Sequence, residues 1–80
     1  MEFENWLDVF VTEKGLDLEE SFTVQGPSGD NFMPLECVIE AIKQAPPGEQ
    51  AAIKDMLVRI DYANADLMRY FRHLAQAIAC

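Results

Sequence analysis

PGEQAAIKDMLVRIDYANADLMRYFRHLAQAIA, residues 47–79, decides the fold of this 80-residue chain. Ile53, Leu57, Ile60, Leu67, Phe71, Leu74 and Ile78 recur on alternating steps of four and three, and Asn64 takes the one polar place in the series. The spacing predicts helix. One uninterrupted helix would be a rod of roughly 50 Å at about 1.5 Å per residue, against a radius of gyration near ~12 Å for a folded chain of this size. Such a rod needs a second copy to cover it, with Asn64 setting register in a dimer seam. Two helices parted at Asn64 instead fold back on the rest of the chain. Asn64 is a strong N-cap residue, and Asp66 then falls in the first turn, where the helix dipole favours an acid. The break with an Asn64 cap is the expectation.

Working outward, Pro46-Pro47-Gly48 must end a preceding helix, and Pro47 suits the opening of the next. That preceding helix runs from Pro34 to Ala45, with Leu35, Val38, Ile39 and Ile42 buried and Glu36, Glu40 and Lys43 facing water; Glu40 and Lys43 are three apart and pair. At the N-terminus, Phe3, Trp6, Leu7 and Phe10 form a helical stripe ending at Lys14, with Gly15 as a C′ residue. Val9 and Val11 sit off the stripe and widen its apolar face. Three aromatics on one stripe are read as core packing, because they dominate the burial available to a small chain. Ser21 to Gln25 alternates polar and apolar as a strand does, Gly26-Pro27-Ser28-Gly29 suits a type I turn, and Asn31 to Met33 returns as a second strand.

The expected fold is therefore mainly α: one domain over residues 1–80, with helices near 2–14, 34–45, 48–61 and 65–79. A short β-ribbon or extended segment is expected near residues 21–33. Ile53, Met56, Leu57 and Ile60 form the core stripe of the third helix, with Ala51, Val58 and Tyr62 as a weaker seam. In the fourth, Leu67, Phe71, Leu74, Ala75 and Ile78 face inward, while Arg69, Arg72, His73 and Gln76 face out.

Charge is the strongest functional signal. There are 14 acidic residues against 6 basic, for a formal charge of -8. Phosphate contact needs a positive field, so direct nucleic-acid binding is not expected. Residues 1–40 hold ten acids against the single base Lys14, whereas residues 41–80 hold four acids and five bases. A partner with a basic surface should meet the N-terminal half, through Glu2, Glu4, Asp8, Asp17, Glu19 and Glu20.

Chemistry-bearing motifs are sparse. Cys37 and Cys80 form neither a disulfide framework nor a metal motif, so no metal or cofactor is expected. Cys37 is read as a small packing residue and Cys80 as a terminal thiol whose oxidation in vitro would carry no functional meaning. A Cys37 nucleophile with His73 as base lacks a third orienting group, and His73 is read as a solvated neighbour of Arg69 and Arg72. The Gly26–Gly29 loop has neither the lysine nor the glycine spacing of a P-loop. No apolar run approaches membrane-spanning length, and acids stand where a signal peptide has bases. A cytoplasmic, non-membrane location is expected.

In size, acidity and helical tendency the chain is similar to acyl carrier proteins, where an Asp-Ser pair opens the second helix and its serine bears phosphopantetheine. Asp30-Asn31-Phe32-Met33 takes the comparable place, but Asn31 has no hydroxyl to bear the arm and Ser28 lies on the wrong side of Asp30.

Three functions follow as expectations. The first is a small acidic non-catalytic interaction protein, accessory or inhibitory; size and acidity suggest a bacterium or one of its phages or plasmids. The second is a structural homodimer on the C-terminal helices, with Val9, Val58 and Tyr62 at its interface. The third is a degenerate carrier-like or small-molecule-binding module.

Overall fold

The computed structural model describes residues 2–79, except the side chain of Ala79; Cys80 lies outside the described residues. Four helices and one hairpin follow in the order α1 (Phe3–Lys14), β1 (Ser21–Gly26), β2 (Gly29–Pro34), α2 (Leu35–Lys43), α3 (Pro47–Arg59) and α4 (Asn64–Ala79). The strands pair antiparallel, from Ser21 opposite Pro34 to Gly26 opposite Gly29. The radius of gyration is 12.3 Å. The rod is thus excluded, because residues 60–63 form a turn between α3 and α4.

Local chemistry explains most boundaries. Gly15 takes φ 65°, and its N–H donates to Thr12 O while Leu16 N–H donates to Val11 O. That pair of bonds is a Schellman closure, which needs the left-handed backbone glycine tolerates best. Gly29, at φ 117°, plays the matching part where the hairpin turns into β2. Pro34 is not in the first turn of α2, as the sequence suggested. It is extended and ends β2, because Glu20 O takes the N–H of Leu35 at 2.8 Å and carries the hairpin pairing to the edge of the helix. Consequently α2 starts at Leu35, and it stops at Lys43 rather than Ala45. Asp30-Asn31-Phe32-Met33 lies on β2, not at the opening of a helix.

Asn64 also acts differently from the expected cap. Ala63 O accepts the first helical bonds, from Asp66 and Leu67, and Asn64 is already helical. Its side-chain amide donates to Lys14 O at 2.9 Å instead. The turn closes against α1, and that neighbour outcompetes the local cap.

The core gathers Leu7, Phe10 and Val11 of α1, Phe22 and Val24 of β1, the stripe of α2, Ile53 and Leu57 of α3, and Leu67, Phe71 and Ala75 of α4. Five expected placements change. Val11 is buried, being one turn beyond Leu7. Met56 flanks the α3 stripe and is exposed; Ile78, in the last turn of α4, is exposed as well. Cys37 is exposed, since about 100° per residue sets it opposite the Leu35–Ile42 stripe. Gln76 does not simply face water, but binds the main chain of β1. The aromatics of α1 stack on each other, with Trp6 and Phe10 centroids 5.1 Å apart, and Lys54 Nζ of α3 lies 5.1 Å above the Trp6 ring. They are a packing seam between α1 and α3, with a cation closing its face.

Candidate protein-binding surface

Asp8 of α1 and Glu36 and Glu40 of α2 are brought to one groove of about 230 Å³, whose floor is Val11 and Ile39. Their helices are held in place by the core stripes beneath, so the charged positions facing the other way converge along the seam. The connection from α1 to β1 completes one wall. Asp17 Oδ1 accepts the N–H of Glu19 at 2.9 Å, folding the chain into a local turn. Leu18 O accepts the N–H of Glu36 at 3.1 Å, fastening that turn to the start of α2. This satisfies a helix N–H that has no partner within the helix, and it sets Leu18, 42% exposed, beside the carboxylates.

Lys43 closes the far end of the groove. Its ammonium lies 2.8 Å from Asp8 Oδ1 and 3.5 Å from Glu40 Oε1. The expected Glu40 pairing is present, with Asp8 as the nearer partner. The hydrogen bond to Asp8 raises the Lys43 pKa, burial opposes it, and the charges of Asp8 and Glu40 add to the rise. At its main chain, Lys43 O accepts from Gln50 Nε2 at 3.0 Å, which ties the end of α2 to α3.

The six acids singled out from the sequence are all exposed, yet they do not form one patch. Asp8 joins the groove, and Asp17 and Glu19 flank Leu18 in the turn. Glu2 and Glu4 stand at the start of α1, with no side-chain hydrogen bond or ion pair among the described residues. Glu20 lines a different groove, beside Arg69 and Arg72. Glu36 and Glu40 are the members that sequence reasoning left out. Their four-residue spacing on the exposed side of α2 was the available signal; their meeting with Asp8 is tertiary.

The proposed interface residues are also divided. Val9, 46% exposed, shares a shallow depression with Asp8, Thr12 and Glu13. Tyr62, 77% exposed, lines another with Met56, Ile60 and Tyr70. Val58 is exposed on α3. Cys37 on α2 and His73 on α4 share no hydrogen bond among the described residues. Among those residues, no group of three or more His, Cys, Asp or Glu is placed to hold a metal ion, and no helix is long and apolar enough to cross a membrane.

Comparison with known proteins adds no identity: no protein-family model, no curated protein and no solved structure matches the chain significantly.

Proposed function

We propose that this chain is a small non-catalytic accessory or inhibitory protein that acts in the cytoplasm by binding another protein through a basic surface. The observation that carries this reading is the groove between α1 and α2. Asp8, Glu36 and Glu40 surround the half-exposed Leu18, with Asp17 and Glu19 close along the chain. An apolar anchor rimmed by three carboxylates against the single ammonium of Lys43, with Glu36 in no ion pair among the described residues, suits a lysine- or arginine-bearing surface: charge steers the encounter and the desolvated centre holds it. The same negative field disfavours nucleic acid.

Affinity capture from the source cell tests the proposal, comparing the natural chain with a Glu36→Lys, Glu40→Lys double variant. A partner held by the first, lost by the second and released steeply by rising salt supports it. Retention by the double variant, or indifference to salt, overturns it.

A second reading, a homodimer, draws on the exposed apolar side chains of α3 and its following turn, Met56, Val58 and Tyr62. Sedimentation that shows only monomer across a wide concentration range rules it out. The carrier-like reading has no comparable support, since Asn31 lies within a strand and bears no hydroxyl.

A further inference from the structure

The open edge of β1 faces a trough of the opposite charge. In the antiparallel ladder, alternate residues turn their N–H and C=O toward the partner strand or away from it. Gln25 marks the parity, because its N–H donates to Gln76 Oε1 and its C=O accepts from Gln76 Nε2, both at 2.9 Å. Those groups point away from β2. Thr23 and Ser21, two and four residues back, therefore point the same way. Among the described residues, no side chain takes up their main-chain groups, whereas Gln76 closes the edge at the hairpin end.

Beside this open stretch, β1 and α4 enclose a groove of about 470 Å³ floored by Phe22 and Met68. Ala65, Arg69, Arg72 and Gln76 recur at helical spacing and form the α4 wall. Thr23, Arg69 and Arg72 continue into the adjoining depression, which reaches His73 and Gln76. Arg69 is drawn to Asp66, 3.4 Å away, but Arg72 has no ion pair among the described residues. Glu20 is the one acid lining the groove, at its Ser21 end. On a chain of formal charge -8, a trough with two arginines and a histidine is an exception that burial does not explain, since all three are exposed. The outer edge of β2 is different. It carries the charge of Asp30 and ends at Pro34, which has no N–H to offer.

We propose that this trough takes an extended peptide segment of a partner protein, which adds to β1 as a third strand at Ser21–Thr23 and sets an acidic side chain against Arg72. Main-chain pairing supplies the affinity and the arginine selects the carboxylate. This surface is separate from the acidic groove between α1 and α2, and either can fail without the other.

The test is an NMR titration of the isotope-labelled chain with short capped peptides in which valine alternates with aspartate, serine or lysine. With the aspartate peptide, the amides of Ser21 and Thr23 shift and exchange more slowly with solvent; the lysine peptide binds at least about tenfold more weakly. Thr23→Pro removes an outward N–H that the hairpin does not use, and it abolishes docking. Arg72→Glu, on an exposed helix face, reverses the preference between aspartate and lysine even if the proline variant fails to fold. No binding of the aspartate peptide, shifts confined to the α1–α2 groove, or an Arg72→Glu variant that binds as before each overturns the proposal.

Discussion

The side-chain amide of Asn64 donates to the main-chain carbonyl of Lys14 at 2.9 Å, joining residues fifty apart in sequence. The same lysine reaches the other end of the turn between α3 and α4, with Nζ 2.7 Å from Asp61 Oδ1. Helix α1 therefore ends on a residue that holds this turn by both its backbone and its side chain. The carbonyl is one of those that a helix end leaves without an internal partner. Replacing Asn64 by Ala should lower stability by about 0.5–1.5 kcal/mol, toward the lower end because the bond is exposed. Urea unfolding checks this, with the midpoint falling and the m-value unchanged. Asn64→Leu should likewise destabilise, without producing the dimer that a buried seam would give.

Gln76 does for β1 what a neighbouring strand would do, giving Gln25 both a donor and an acceptor. Gln76→Ala should cost about 1–2 kcal/mol for the two exposed bonds. It should also speed solvent exchange of the Gln25 amide, while the amides of Phe22 and Val24 change little, because they bond to β2. Uniform acceleration along the hairpin would instead show that Gln76 supports the whole sheet.

Lys43 should give stability a pH dependence at the alkaline end. Its folded pKa is raised above the ordinary value of 10.5, with the hydrogen bond to Asp8 as the leading cause. A raised folded value means the ion pair contributes fully below the ordinary value and is lost as pH rises through the folded one. Burial raises the Tyr70 pKa as well, so it adds loss of the same sign above its ordinary value of 10.0. The difference in melting temperature between the natural chain and Lys43→Met should therefore be constant from neutral pH to about pH 10 and shrink above it. Tyr70→Phe should remove the tyrosine part. A difference that stays constant through pH 12 would exclude Lys43 as the source.

Much of the architecture was legible because it is written in local periodicity. The stripe of α2 appears as Leu35, Val38, Ile39 and Ile42, all buried. Gly15 and the pair Pro46-Pro47 mark helix limits through backbone constraints of their own. Alternation plus a Gly-Pro-Ser-Gly turn pointed to a β-ribbon or an extended segment near residues 21–33, and the pairing of the two strands decided between them. The misplacements arose where a neighbour distant in sequence competed with a local preference. Asn64 is a good N-cap in isolation, but a carbonyl of α1 takes its amide. Pro34 suits a first helical turn, but Glu20 O engages Leu35 and the strand continues to the helix boundary. Ile78 is in phase with the core, yet in the last turn of α4 it stays exposed.

The candidate surfaces divide in the same way. The acidic bias of the N-terminal half and the exposure of Glu36 and Glu40 follow from composition and helical phase, which depend only on residues a turn apart. Which acids meet does not: Asp8 joins Glu36 and Glu40, while Glu20 lines the groove that Arg69 and Arg72 also line, because packing of the elements sets those positions. The basic trough beside β1 has no sequence signature, since its walls lie some forty to fifty residues apart in the chain. In residues 47–79 the sequence alone determined two apolar stripes in one phase and a polar residue between them. Only the tertiary structure decided that the polar residue would be spent on α1 rather than on its own helix, because a hydrogen bond is directional and goes to the partner that packing brings within reach.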